Sequence, residues 1–231
     1  MNTATAGIHF PPPPPRLADF ISAGNEEALR AVQSLAAGQS AENSLYLWGA
    51  PGSGKTHLLR AAAAAAREEY GMRVFMPKNG DVPPPVAAFL IVDDVQLLGE
   101  ESQTALFDWH NRATQKGGSL LLAAGVVPPP QLPLRGELSA RLSGGLVFRL
   151  RALGDGDKRQ ALAGFAGRHY FSLPPEVADL LLTRLPRDMA GLTAALADLD
   201  SFMLAEQKPL TIRRANAWLA SYRPPPSLFA D

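Results

Sequence analysis

The sequence predicts an α/β fold in which a five-stranded parallel sheet with flanking helices is followed by a small all-α domain. Three observations predict this fold: a glycine-rich motif stands between an apolar and an alanine-rich segment, five apolar segments alternate with helical patterns, and only helical patterns follow Leu153. We therefore expect a flexible proline-rich tail over residues 1–16, an α/β domain over 17–152, a helical domain over 153–223 and a C-terminal tail over 224–231.

The elements follow from periodicity and from start and stop residues. Asn25 is predicted to cap the first helix, with Glu26 and Glu27 in its first turn, and Gly71 to stop the second. The predicted strands cover residues 44–48, 73–76, 89–92, 119–124 and 146–150. The predicted helices cover residues 26–36, 57–70, 101–116, 138–142, 157–168, 175–184, 189–205 and 212–222.

The glycine-rich motif fully matches the pattern G-x-x-x-x-G-K-[ST] of phosphate-binding loops. Glycines let successive backbone N–H groups point at phosphate oxygens, and the dipole of the following helix favours the same anion. Lys55 is expected to reach the β- and γ-phosphates, and the Thr56 hydroxyl to ligate Mg²⁺. The predicted nucleotide-binding residues are Gly49, Ala50, Pro51, Gly52, Ser53, Gly54, Lys55, Thr56 and His57, with ADP or ATP and Mg²⁺ as ligands.

Two carboxylates follow the third predicted strand, about 40 residues after the glycine loop. The apolar run of residues 89–92 is typical of a strand buried on both faces, and ligands of parallel sheets bind at the C-terminal ends of the strands. Asp93 is therefore placed to hold Mg²⁺ through water, and Asp94 to orient an attacking water; for Asp94 a surface or helix-start acid is the alternative.

Composition excludes several classes of function. Lys plus Arg and Asp plus Glu both total 22, so no overall basic field favours duplex DNA as the main ligand. The chain has no cysteine and four scattered histidines, which argues against disulfides and against metal sites beyond the nucleotide's own Mg²⁺. No apolar run approaches the length of a membrane span, and we expect a cytoplasmic protein without a membrane partner.

The N-terminal tail allows two interpretations. The unbroken proline tract from Pro11 to Pro15 is expected to be stiff and extended, holding the first ten residues away from the folded body. Those residues are either a disordered leader or a peptide that binds a partner through Ile8 and Phe10.

Several motifs in order resemble the AAA+ ATPases of the DnaA branch, and within that branch the Hda family. The resemblance runs from about Leu17 to Ala220 and implies an AAA+ nucleotide-binding domain followed by a helical lid domain. Besides the glycine loop, it rests on Ile91-Val92-Asp93-Asp94-Val95-Gln96, Phe107-Asp108-Trp109-His110-Asn111-Arg112, Pro129-Pro130-Gln131-Leu132, Leu138-Ser139-Ala140-Arg141-Leu142 and Leu185-Pro186-Arg187-Asp188-Met189.

The resemblance implies roles for two arginines and a set of partners. Arg141 stands where the family has an arginine finger, a cation supplied to a neighbouring subunit's nucleotide, and Arg187 where the lid contacts the chain's own nucleotide. A surface arginine in an ion pair is the alternative for Arg141. The implied function is negative regulation of replication initiation, by stimulating hydrolysis of the ATP bound to the initiator DnaA, with the DNA sliding clamp as a further partner.

The sequence departs from the family pattern at four places. The polar residue expected at the tip of the fourth strand is replaced around Ala124-Gly125-Val126, which argues against autonomous hydrolysis and fits stable ADP binding. The helix-turn-helix module of the initiators is absent, so sequence-specific DNA binding is not expected. Gly7-Ile8-His9-Phe10 stands in place of the family's clamp-binding peptide but lacks its glutamine. Residues 131–134 are similar to that peptide but are interpreted as structural, because they lie inside the sheet domain. Finally, the connection between the second and third predicted strands, which contains Pro83-Pro84-Pro85, is short.

Two rival functions stay open at this point. A self-assembling ATPase of the helicase-loader type would use Asp94 in its own hydrolysis and would form a homo-oligomer. An interaction scaffold would hold its nucleotide for structural reasons only, and Arg141 would then have no role in any activity.

Overall fold

The structure, a computed structural model, describes residues 15–77, 88–116, 118–186, 188–206 and 208–223. Its centre is a five-stranded sheet in the order β2-β3-β4-β1-β5, in which every neighbouring pair is parallel. The strands are β1 (Ser44–Trp48), β2 (Val74–Phe75), β3 (Phe89–Val92), β4 (Leu120–Gly125) and β5 (Leu146–Arg149). The predicted α/β class and the parallel sheet are thereby confirmed.

Eight α-helices occur in the described part of the chain. Four of them connect or precede the strands: α1 (Glu26–Ala36), α2 (Lys55–Glu68), α3 (Glu100–Lys116) and α4 (Gly136–Ser143). The other four follow the sheet without any intervening strand: α5 (Asp155–Arg168), α6 (Pro175–Arg184), α7 (Met189–Glu206) and α8 (Ile212–Ser221). Short 3-10 turns cover Leu17–Asp19, Val95–Leu97 and Pro129–Gln131.

Alternation along the strands divides the sheet's core into two layers. In β1, Leu45 and Leu47 pack with α1 and α2 on one face, whereas Tyr46 packs with residues of α3 and α4 on the other. The same period of two separates Ile91 from Leu90 in β3. Both faces are therefore covered, which explains why these strands are continuously apolar in sequence.

Helices α5 to α8 form a third core of their own. Its centre contains Leu181, Leu196 and Trp218, each at most 2% exposed. The indole N–H of Trp218 donates a hydrogen bond of 2.6 Å to the Asp198 carboxylate, so its one polar group is satisfied. None of the described helices is both long and apolar enough to cross a membrane. The predicted domain boundaries stay predictions.

The structure confirms Asn25 as the N-cap residue of α1, but its side chain does not cap the helix. Instead the 3%-exposed side chain donates to the Arg151 carbonyl at 3.0 Å and accepts from the Arg151 N–H at 2.8 Å. The amide thus ties the segment before α1 to the segment after β5.

Other differences concern the ends of elements. β2 has two residues rather than the four predicted, and α2 begins at Lys55 rather than His57. Pro83-Pro84-Pro85 lies outside the described residues. Leu132 and Leu134 pack in the core between the sheet, α3 and α4, which confirms the structural interpretation of residues 131–134.

Candidate nucleotide-binding site

The glycine loop connects the C-terminal end of β1 to the first residue of α2. Gly52 and Gly54 have φ values of 76° and 94°, in the left-handed region that side chains disfavour. A side chain on Gly49 would collide with the carbonyl oxygen of Leu150, which follows β5. Glycine is therefore required at these positions for the turn and for close packing of the loop, and the turn leads directly into the N-terminus of a 14-residue helix.

Lys55 lies inside the loop and is only 7% exposed. Its ammonium group donates hydrogen bonds of 2.8 Å and 3.1 Å to the carbonyl oxygens of Gly49 and Ala50. Burial lowers the pKa of this ammonium group, while the nearby Asp94 and Asp93 carboxylates oppose that shift. The ammonium group is buried and its hydrogen bonds go only to backbone carbonyls, so its positive charge is available to bind an anion in the loop.

Thr56 and Asp93 meet across the ends of α2 and β3. The Thr56 hydroxyl donates a hydrogen bond of 2.6 Å to Oδ2 of Asp93, although 37 residues separate them in sequence. Burial raises the pKa of Asp93, and the bond from Thr56 partly offsets that shift. The sequence-predicted pair of oxygen ligands is thus brought together by the parallel sheet.

Asp94 adopts a left-handed backbone conformation, with φ of 46°. Its N–H donates to Oδ1 of Asp93 at 3.0 Å, and its own Oδ1 accepts a hydrogen bond of 3.0 Å from the Gln96 side chain. Non-glycine residues in this conformation are uncommon and cluster at functional sites. The turn directs the two neighbouring carboxylates to different partners.

These groups fit a magnesium nucleotide. The left-handed glycines leave room for phosphate oxygens, Lys55 supplies positive charge, and the adjoining Thr56 and Asp93 oxygens are the donor type that Mg²⁺ prefers. The buried Ser53 hydroxyl accepts and donates no hydrogen bond among the described residues, so the loop retains an unused polar group. The fit rests on the loop geometry together with this donor set.

Two further segments approach the loop. A methyl group added to Gly54 would lie 3.1 Å from the Phe20 ring, and one added to Gly52 would lie 3.7 Å from Asp188 at the start of α7. The Phe20 and His57 rings are 6.1 Å apart between centroids. The N-terminal segment and the helical region therefore both border the candidate site.

Arg141 lies at the opposite edge of the sheet. It is near the end of α4, four residues before Gly145, which packs against the backbone of Ser44, the first residue of β1. The glycine loop follows the last residue of β1, so the strand's length of roughly 15 Å separates the two edges. The Arg141 side chain is exposed and makes no hydrogen bond or ion pair with any described residue. Its guanidinium is thus remote from the loop of its own chain.

Solved structures with this architecture include two replication initiators. Domain III of DnaA from Thermotoga maritima is 22% identical with a TM-score of 0.75, and the match covers 90% of this chain and 96% of that one. AMPPCP-bound DnaA from Aquifex aeolicus is 22% identical with a TM-score of 0.66, covering 80% of this chain and 64% of that one. The RuvB Holliday junction branch migration motor of Thermotoga maritima has a TM-score of 0.68 at 13% identity, covering 90% and 72%. At these identities the likenesses show a shared AAA+ fold.

Two family models match different parts of the chain. The model of the bacterial DnaA ATPase domain matches residues 17–77, which include the glycine loop, and the model of the Hda lid domain matches residues 155–213. The chain belongs to the DnaA-related AAA+ family. The lid of this DnaA-related protein comprises α5 to α8, and Asp188 brings the lid next to Gly52.

Three predicted site residues of the DnaA-related protein lie outside the described residues. These are Arg187 and the tail residues Ile8 and Phe10, whose roles stay predictions. Asp188, the neighbour of Arg187, is described, and its Oδ1 accepts a hydrogen bond of 2.7 Å from the Gly191 N–H. The first turn of the lid helix α7 is therefore fixed close to the loop.

Sequence reasoning missed three residues of this site: Tyr46, Gln96 and Phe20. Tyr46 sits in an apolar strand, so its pattern indicates core packing, yet its hydroxyl reaches the tip of β4 and donates to the Val127 carbonyl at 2.9 Å. Burial raises the pKa of Tyr46, with a smaller contribution from the Asp94 charge. Only the position of Gln96, two residues after the Asp-Asp pair, offered a usable signal.

Proposed function

We propose that this chain is a nucleotide-binding regulator of replication initiation that stimulates hydrolysis of the ATP bound to the initiator DnaA. The two family models support the coarser part of the proposal, a DnaA-related replication regulator. The finer part rests on one observation, the exposure of Arg141 at the edge of the sheet remote from its own glycine loop. An arginine in that place has no phosphate of its own chain within reach and is available to a neighbour.

The chemistry of the proposal takes place in the partner's site. A guanidinium inserted there offsets the charge that spreads over the phosphoryl oxygens in the transition state. Because the cation comes from a second protein, hydrolysis depends on assembly. The chain's own nucleotide, ADP or ATP, would be held by the glycine loop, with Lys55 at the phosphates and Mg²⁺ between Thr56 and Asp93.

The proposed role of the nucleotide bound by this chain is to order the surface that contacts DnaA. The loop touches both Phe20 of the N-terminal segment and Asp188 of the lid, so a bound phosphate chain would fix the two segments relative to the sheet. The Aquifex aeolicus DnaA, which shares this fold, was solved with the nucleotide AMPPCP bound, and this supports a nucleotide site in the present chain.

The test mixes the chain with ATP-loaded DnaA and the sliding clamp on DNA and follows conversion of the initiator's ATP to ADP. Wild type is expected to accelerate conversion, and Arg141→Ala to lose the acceleration by on the order of 10³-fold. Arg141→Lys separates charge from geometry, because lysine keeps the charge but not the planar fork. The matched control is Arg30→Ala, an exposed arginine of α1. Equal acceleration by wild type and Arg141→Ala contradicts the proposal.

A second function is favoured by a separate observation. Asp93 and Asp94 stand together at the C-terminal edge of the sheet beside the Thr56 hydroxyl, the arrangement expected of a chain that hydrolyses its own ATP. A self-assembling ATPase of the helicase-loader type would show steady turnover by the purified chain, lost in Asp94→Asn. Turnover that rises more than linearly with protein concentration would support self-assembly.

A further inference from the structure

The tip of β4 is occupied by side chains from two neighbouring segments. A side chain on Gly125, the last residue of β4, would collide with the Tyr46 hydroxyl of β1, and its Cβ would lie 3.1 Å from Oε1 of Gln96. The space at the end of this strand is therefore taken by the Tyr46 phenol and the Gln96 amide. Both groups come within electrostatic or hydrogen-bonding range of Asp94.

The amide of Gln96 has one satisfied end and one unsatisfied end. Its Nε2 donates a hydrogen bond of 3.0 Å to Oδ1 of Asp94, whereas Oε1 is buried and accepts no hydrogen bond from any described residue. Rotating the amide by half a turn would place two acceptor oxygens against each other, so the carboxylate fixes the orientation. A buried acceptor left unpaired typically costs about 1–3 kcal/mol.

The Gln96 amide holds one carboxylate, while its own oxygen has no partner among the described residues. If the side chain only filled space beside Gly125, an apolar residue of the same length would do so without an orphaned oxygen. Polar groups that break the rules of core packing occur at functional sites. The residue that the Gln96 amide holds is Asp94, whose backbone also adopts the left-handed conformation.

We propose that Gln96 is a positioning residue for Asp94: its amide N–H holds Oδ1 of that carboxylate, which leaves Oδ2 to orient a water molecule at the terminal phosphate. The inference rests on the second proposed function, hydrolysis of ATP bound at this chain's own nucleotide site, and deepens it. In the reaction the water oxygen bonds to the terminal phosphorus, the bond from phosphorus to the bridging oxygen breaks, and the water's proton passes to solvent by way of Asp94. ATP and water give ADP and inorganic phosphate.

The first experiment measures single-turnover ATP hydrolysis by the purified chain, together with ATP affinity. It compares wild type, Gln96→Leu and the control Gln33→Leu, which changes an exposed residue of α1. Gln96→Leu is expected to slow hydrolysis by on the order of 10- to 100-fold, since the misplaced acid no longer orients water. Its ATP affinity should stay within about twofold of wild type, and Gln33→Leu should match wild type in both.

A double variant tests whether Gln96 acts through Asp94. In the Asp94→Asn background the further change Gln96→Leu should have little additional effect, because its target carboxylate is already gone. Additive losses overturn the proposal. A rate for Gln96→Leu equal to or above wild type overturns it too, as does wild-type hydrolysis no faster than that of Lys55→Ala. If the wild-type chain does not bind ATP, the proposed nucleotide site itself is wrong.

The second experiment uses the nucleotide-free protein and does not depend on hydrolysis. Urea unfolding of Gln96→Leu should show little change in stability, because removing the oxygen without a partner offsets the lost hydrogen bond to Asp94. In an NMR spectrum of side-chain amides, the Gln96 signal is identified by its loss in Gln96→Leu. That signal should shift in Asp94→Ala and not in the control Asp108→Ala, which changes an exposed residue of α3. A Gln96 signal indifferent to Asp94→Ala, or a marked loss of stability in Gln96→Leu, contradicts the inference.

Discussion

The two edges of the sheet are built in opposite ways. At the C-terminal edge Thr56, Asp93, Asp94 and Gln96 form a continuous set of hydrogen bonds, and the Lys55 ammonium group donates separately to the Gly49 and Ala50 carbonyls. At the N-terminal edge Arg141 stands on the exposed side of a short helix, and its guanidinium makes no hydrogen bond or ion pair with a described residue. Under the proposed function, the C-terminal edge with its charges arranged in advance binds the chain's own nucleotide, whereas the exposed guanidinium of Arg141 acts on the nucleotide of a partner.

The largest expected effect separates the two edges by nucleotide affinity. Lys55→Ala removes the only cation bound inside the loop among the described residues, and we expect nucleotide binding to weaken by about 2–5 kcal/mol. Arg141→Ala should leave the affinity of the isolated chain unchanged. Calorimetric titration with ADP and ATP measures both variants, and a comparable loss in Arg141→Ala would show that the edges are not independent.

The next effect concerns the packing that holds α4 against the N-terminal edge. Gly145→Ala pushes a methyl group into the backbone of Ser44 and should cost about 1–3 kcal/mol of unfolding free energy. Gly136→Ala, at the other end of α4, meets nothing within 4 Å and should be neutral or stabilising by up to about 1 kcal/mol. Urea denaturation compares them, and equal costs would mean that α4 is not braced at its C-terminal end.

The smallest effect is a dependence of stability on pH at the C-terminal edge. Because burial raises the pKa of Asp93 above its value in the unfolded chain, the folded state binds more protons, and stability should fall as pH rises from about 4 through the folded-state pKa. Asp93→Asn should flatten that decline and stabilise the nucleotide-free protein at pH 7, while weakening retention of Mg²⁺. The measurement is thermal unfolding across pH, with and without Mg-ADP. An unchanged pH profile in Asp93→Asn would mean that burial does not raise the pKa of the Asp93 carboxylate in the wild type.

The sequence predicted the fold because its signals are local and consistent. Apolar strands such as residues 89–92, helices such as α6 and the glycine loop each carry their pattern within a few residues, and the structure confirms them. The meeting of Thr56 with Asp93 was also predictable, since the ends of parallel strands share one edge.

The rest depends on contacts between distant segments, which no local pattern encodes. Asn25 has the residue type and position of a cap, but the backbone of Arg151, 126 residues away, offers its amide two hydrogen bonds. Tyr46 looks like any core aromatic until the glycine at the end of β4 is placed beside its hydroxyl. The remoteness of Arg141 from the glycine loop likewise depends on the direction of the strands.

The packing of Tyr46 against Gly125 has a consequence for which side chains this strand tip can accept. A side chain at position 125 would overlap the phenol oxygen of Tyr46, and its Cβ would lie 3.1 Å from Oε1 of Gln96. Tyr46→Phe removes the phenol oxygen at a loss of about 1 kcal/mol for the hydrogen bond to Val127. The choice of residue at position 125 is therefore coupled to the choice at position 46.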